Sequence, residues 1–223
     1  MRIDLDLFHS RENRNKPSVL RFYSWQPQCI SLGYSQKIEE EVDLLRAKEL
    51  GWEMVRRPTG GGIVFHNEAE VTYSLVTAID NPILPKGMIP SYKRISEAVV
   101  LGLKYLGINA QVKAAIFSGP QSPAPSSRPL DPLCFSYPAE YEVVCNGRKI
   151  VGSAQKRGRR SLLQQGSVFV RNNDPSVFSL LKQPVKEYNA VSVEEVLERA
   201  VGFEEIAQAL QKGFEECFGI KFV

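Results

Sequence analysis

A chain of 223 residues, 43% of them hydrophobic, can bury one sizeable core, and a single domain over residues 1–223 is the expectation at that length. The net charge of +3 excludes a nucleic-acid binder defined by bulk charge, and no run approaches the roughly 18 apolar residues of a membrane span. The charged start "MRIDLDLFHSRENRNK" does not read as a signal peptide, and four cysteines without a CxxC pair read as reduced thiols, so the expected compartment is the cytoplasm.

In chain order, "VLRFYSW" (19–25) and "CISLG" (29–33) are rich in β-branched and aromatic residues and read as strands. "IEEEVDLLRAKELG" reads as one helix, apolar at Ile38, Val42 and Leu45 and stopped by Gly51. "WEMVRR" and "IVFH" read as short strands around "PTGGG", a glycine-rich hairpin. A two-residue turn needs at most two residues with positive φ, so the third glycine implies a backbone that lies close to something. "EVTYSLVTAI" is the strongest strand signal. "PSYKRISEAVVLGLKYLGI" reads as a helix capped by Ser91, with Ile95, Val99, Leu103 and Leu106 inward and Gly107 at its end. Residues 118–132, "SGPQSPAPSSRPLDP", form a Pro/Ser-rich segment expected to be a flexible loop. Three strands follow, "EYEVVC", "RKIVGSAQ" and "SLLQQGSVFV", the first two joined by Asn146-Gly147 and the last two by the basic tip "KRGRR". Helical stretches close the chain. Antiparallel strands interleaved with helices argue for an α+β fold with mixed, largely antiparallel sheets flanked by helices.

Few residues could carry chemistry. Lys149 lies between the Asn-Gly turn and the small residues Gly152, Ser153 and Ala154; it is either an edge-strand charge or a functional cation, and the small residues leave room for a ligand's chain. Cys134 follows the Pro/Ser-rich loop, 15 residues before Lys149. It reads either as a small buried hydrophobe or as a nucleophile, which would need a cation or base beside its thiolate. Cys29, Cys145 and Cys217 fall in strand or amphipathic-helix patterns and read as buried. His66 and His9 are the only histidines, too few for a zinc site, and no GxSxG supports a serine triad. The glycine triplet lacks the GK[ST] of a P-loop and leads into a strand, which also excludes a dinucleotide fold. Arg56 and Arg57 precede it and could face a phosphate.

The motifs "RRPTGGGIVFH", "VTYSLV", "CFSYPAEYEVVCNGRKIVGSAQKR" and "LLQQGSVFV", in this order and spanning most of the chain, resemble the biotin/lipoate protein ligase and octanoyltransferase family. The resemblance implies that family's catalytic-domain fold. It also implies an acyl pocket lined by Arg57, Thr59, Gly60, Gly61, Gly62, His66, Gly152, Ser153 and Ala154, with Lys149 at the acyl carbonyl. The segment "CF-x-x-P-x-x-Y-E" resembles the cysteine-dependent branch. An octanoyl-[acyl carrier protein]:protein N-octanoyltransferase is therefore expected, acting in lipoate assembly through a thioester on Cys134 whose proton Lys149 takes. That reading needs no cofactor. The alternatives are an ATP-dependent lipoate–protein ligase, using ATP and magnesium, and a catalytically silent lipoyl-binding homologue. The implied partners are acyl carrier protein and the lipoyl domains of 2-oxoacid dehydrogenases or the glycine-cleavage H protein, met by Lys156, Arg157, Arg159 and Arg160; neither nucleic acid nor a membrane is expected. Three departures stand out. The start is expected to lack the family's N-M-x-x-D helix and so to leave a less closed pocket, Asn67 stands where an aspartate is common, and Gln165 where a histidine is common.

Overall fold

The computed structural model describes residues 1–13, 16–113, 141–185 and 188–223. Cys134 and the 118–132 segment lie outside them. The charged N-terminus forms helix α1 (Arg2–Asn13), which buries Asp4 and Phe8, one turn apart, against the sheet. Phe8 packs with Val76 and Leu163, and burying such a ring contributes about 2 kcal/mol. The expectation of a missing N-terminal helix is therefore corrected: Met1 and Asp4 supply M-x-x-D themselves, and the helix folds because its single apolar stripe has a sheet to cover.

Strand β1 (Val19–Tyr23) leads to β2 (Cys29–Leu32). The expected single helix is two, α2 (Ile38–Glu41) and α3 (Leu44–Glu49), because Val42 breaks out to bridge Leu181 and the Asp43 side chain caps a new start by accepting from the Arg46 N–H. Strands β3 (Glu53–Arg56) and β4 (Val64–His66) follow. They are not a hairpin. β2 lies between them, parallel to β3 and antiparallel to β4, in a three-stranded sheet of order β3-β2-β4. The segment holding the triplet therefore crosses over β2 instead of turning back on itself.

The remaining strands are β5 (Val71–Ala78), β6 (Ala110–Val112), β7 (Val143–Cys145), β8 (Arg148–Arg157) and β9 (Ser161–Val168). With β1 they form a six-stranded antiparallel sheet of order β1-β5-β9-β8-β7-β6. Asn146 and Gly147 both take positive φ, 50° and 77°, as the Asn-Gly turn requires. Helix α4 (Met88–Tyr105) starts at Gly87 and not at Ser91, whose hydroxyl lies inside the first turn and donates to the Met88 carbonyl. A 3-10 turn (Pro175–Leu180) and α5 (Val193–Leu197) precede α6 (Phe203–Phe218). α4 and α6 bury the main core against one face of the large sheet, through Ile95, Val99, Leu103, Leu210 and Phe214. They touch at glycines: a Cβ on Gly102 would stand 2.7 Å from the Leu210 Cα, and one on Gly213 would strike the Gly102 backbone. A second core of Ile30, Leu32, Trp52, Phe65 and Leu180 lies against the small sheet. Among the described residues no helix is long and apolar enough to cross a membrane.

Candidate active site

Every residue of β5 and β9 is buried, yet these central strands carry Thr72, Ser74, Gln164, Gln165 and Ser167. Polar groups in such strands need partners: Thr72, Gln165 and Ser167 find theirs where the two sheets and α1 converge, Gln164 pairs with Gln155 and Tyr73, and Ser74 Oγ has none among the described residues. At that convergence a small cleft of about 30 Å³ is lined by Trp25, Arg57, Thr59, His66, Gly152, Ser153, Ala154 and Gln165, among others. The expected residues Arg57, Thr59, His66, Gly152, Ser153 and Ala154 thus meet, although 86 residues separate His66 from Gly152 in the chain.

Gly60, Gly61 and Gly62, expected in the pocket wall, are not among the residues that line the cleft; their main chain is held by Arg57, which is. Arg57 Nη2 donates to the Gly60 carbonyl at 3.2 Å and the Gly62 carbonyl at 2.7 Å, and Nη1 donates to Ser31 O at 2.7 Å. Gly61 takes φ 90°, and its carbonyl lies so close to Gly33 that a side chain on Gly33 would strike it. Arg56 donates to the carbonyls of Gly33, Tyr34 and Gln36. Both arginines thus staple loops through main-chain oxygens, where the sequence suggested that they could face a phosphate.

Gln165, standing where the family commonly has histidine, bridges the walls. Its Oε1 accepts from Thr59 Oγ1 at 3.1 Å and its Nε2 donates to Asp4 Oδ2 at 2.7 Å. Asp4 also accepts from Tyr23 at 2.9 Å and pairs with Arg21. Burial, reinforced by the neighbouring Asp4 carboxylate, pushes the Tyr23 phenol up, so it stays a donor to that carboxylate. Asn67 holds the loop after β9, donating to Arg171 O at 3.0 Å and to Asn173 Oδ1 at 2.9 Å. His66 stacks on Trp25 with ring centroids 4.0 Å apart and lies 2.5 Å from both Ser31 Oγ and Glu70 Oε1. Sequence reading missed Asp4, Trp25, Ser31, Glu70 and Ser167; for Ser31 and Ser167 the available signal was polarity in strands that are buried throughout, while Asp4, Trp25 and Glu70 lie outside the strands and carried no such signal.

Lys149 sits three residues before Gly152 on β8, only 1% exposed, with Nζ 2.5 Å from Glu142 Oε1. An ammonium so enclosed needs its carboxylate, which excludes the edge-charge reading. The basic tip is anchored rather than loose. The Glu12 carboxylate accepts from the N–H groups of Arg159 (2.7 Å), Arg160 (3.1 Å) and Ser161 (2.9 Å), and chiefly the Ser161 hydroxyl lowers Glu12 to about 2. Lys156 lies over the rings of Phe8 (5.6 Å) and Tyr34 (5.5 Å), and Arg157 donates to Ser91 Oγ at 3.0 Å. Among the described residues no group of three His, Cys, Asp or Glu could hold a metal ion.

Comparison with known proteins agrees with this geometry. The family model of the lipoyl protein ligase A/B catalytic domain matches residues 1–215. Octanoyltransferase LipM of Geobacillus kaustophilus is 38% identical over 99% of this chain and 82% of its own. A lipoate-protein ligase A solved with ATP is 26% identical with a TM-score of 0.78, covering 99% of this chain and 80% of its own. The bipartite lipoate protein ligase of Thermoplasma acidophilum, from a study with its E2 lipoyl domain, is 25% identical with a TM-score of 0.73, over 100% and 80%. With the sequence motifs gathered at one cleft and a family model spanning nearly its whole length, this chain belongs to the lipoyl protein ligase A/B catalytic domain family.

Proposed function

We propose that the protein is an octanoyltransferase of lipoate assembly, moving an octanoyl group from acyl carrier protein to a lysine of a lipoyl domain through a thioester on Cys134. The observation that carries this reading is similarity to octanoyltransferases along the whole chain, joined to a buried pair of Glu142 with Lys149, the latter on the strand that brings Gly152–Ala154 to the cleft. In the resting site the Cys134 proton resides on Lys149, whose ammonium is held by Glu142. The thiolate attacks the donor thioester carbonyl, and the expelled pantetheine thiolate takes a proton from Lys149. The acceptor amine then attacks the Cys134 thioester, its surplus proton returns to Lys149, and the Cys134 thiolate departs. Thioester exchange is nearly isoenergetic and amide formation downhill, so no ATP is consumed and no metal is called for. Main-chain N–H groups around Gly152–Ala154 are the candidates for holding the developing oxyanion.

Acyl carrier proteins and lipoyl domains are acidic partners for the tip bearing Lys156, Arg157, Arg159 and Arg160, which borders a broad surface depression beside the cleft. The acceptor domain belongs to a 2-oxoacid dehydrogenase or the glycine-cleavage H protein, and the reaction is cytoplasmic. Intact-protein mass spectrometry after mixing with octanoyl–acyl carrier protein tests the proposal. An octanoyl adduct is expected on the wild type and none on Cys134→Ser. Full transfer by Cys134→Ser sinks the thioester route, and lipoyl-adenylate formation from lipoate, ATP and magnesium without any adduct assigns a ligase instead.

A further inference from the structure

The transfer chemistry above leaves one buried polar chain without a part to play. It runs through Arg57, Ser31, His66 and Glu70, all at most 6% exposed and drawn from the small sheet and the turn before β5. Its proton order follows from donor and acceptor capacity. Arg57 Nη1 lies 2.6 Å from Ser31 Oγ, and a guanidinium only donates, so the Ser31 oxygen accepts there. Among the described residues His66 Nε2, at 2.5 Å, is the one acceptor within reach of the Ser31 hydroxyl proton, which makes Nε2 an acceptor and places the ring proton on Nδ1. That proton faces Glu70 Oε1 at 2.5 Å. Thr72 Oγ1 (3.0 Å) and Ser167 Oγ (2.5 Å) donate to the same oxygen, and three donors on one atom call for a carboxylate. Glu70 Oε2 has no partner among the described residues, so all of the hydrogen bonds given to this carboxylate fall on Oε1. An imidazolium would break the order: its Nε2–H would leave the buried Ser31 hydroxyl proton without an acceptor among the described residues, and two cations would face each other across one hydroxyl.

We propose that Arg57, Ser31, His66 and Glu70 form one directed relay in which Glu70 and Ser31 are positioning residues. Glu70 holds His66 as the neutral Nδ1–H tautomer against Trp25. Ser31 passes that orientation to the guanidinium that clamps the Gly60 and Gly62 carbonyls at the cleft. With Ser31 wholly buried, the chain is a clamp and not a nucleophilic triad. Its consequence for catalysis rests on the cleft being the acyl site proposed above.

Because the chain holds only two histidines, ¹⁵N NMR of the histidine-labelled protein reads the tautomer directly. The wild type is expected to show His66 protonated at Nδ1 and bare at Nε2; Ser31→Ala keeps that state, and Glu70→Gln shifts it toward Nε2–H. Both variants should form the octanoyl adduct at least tenfold more slowly while melting cooperatively. A wild-type His66 that is Nε2–H or imidazolium at pH 7 overturns the proposal, as does an unchanged tautomer in Glu70→Gln. Wild-type acylation rates in both folded variants would overturn the positioning role. Should Glu70→Gln not fold, the wild-type tautomer and Ser31→Ala still decide. A wild type that forms no adduct refutes the transfer reading alone, since the tautomer is read without substrate.

Discussion

Lys149 and Glu142 are nearly sealed from water, and each buried charge is compensated by the other 2.5 Å away. Removing one member of a buried pair costs about 3–5 kcal/mol, whereas replacing both by apolar groups is often neutral. Glu142→Gln is therefore expected to lower unfolding free energy by about 3 kcal/mol. The double change Glu142→Leu with Lys149→Met should recover most of that loss without restoring acyl transfer. Urea denaturation and the octanoyl-adduct assay separate the two effects, and a double variant no more stable than Glu142→Gln would show that the pair is not a closed unit. The three described thiols, Cys29, Cys145 and Cys217, are poor candidates for a nucleophile. Burial pushes Cys29 up to about 12 and raises Cys145 and Cys217 as well, which fits their place in the core patterns read from sequence.

Helix α1 and the β8–β9 turn are held together largely by one side chain. Glu12 closes the end of the helix onto three successive main-chain N–H groups of the turn. Its folded pKa of about 2 lies below the ordinary 4.5, so the tether stabilises fully above the ordinary value and is lost as pH falls through the folded one. Amide hydrogen exchange at Arg159, Arg160 and Ser161 should stay protected down to about pH 4.5 and lose protection toward pH 2. Glu12→Gln should expose the same three amides at neutral pH. Unchanged protection in that variant would mean the ladder, not the carboxylate, fixes the turn. Much of this level was legible beforehand: the Asn146-Gly147 turn, the strand pattern of Val71–Ala78 and the Gly219 stop each depend on local backbone chemistry alone. The break at Val42 and the start at Gly87 were not, because a distant strand partner and a loop conformation decided them.

Across the whole molecule, the motifs bearing Arg57, His66 and Gly152–Ala154 were readable as parts of one site, while the bonds from Gln165 to Asp4 and Thr59 were not, since no local pattern links residues that far apart. The same distance explains why the glycine segment looked like a hairpin: two short strands flank it, and only the tertiary fold inserts β2 between them. The basic tip sits beside the cleft on a chain of modest net charge, so its field is local and easily screened. Association with an acidic carrier is expected to weaken severalfold between about 50 and 300 mM salt, and Arg159→Glu with Arg160→Glu should flatten that dependence while single-turnover transfer at saturation stays unchanged. A salt slope identical in the double variant would place the carrier elsewhere. Finally, β9 lies between β5 and β8, and its Gln165 reaches back 161 residues to Asp4. A nascent chain leaving the ribosome thus carries α1, β1 and β5 with a bare sheet edge until Ser161–Val168 emerges. The cleft is accordingly among the last features the polypeptide completes, and that exposed edge is where a chaperone would have most to protect.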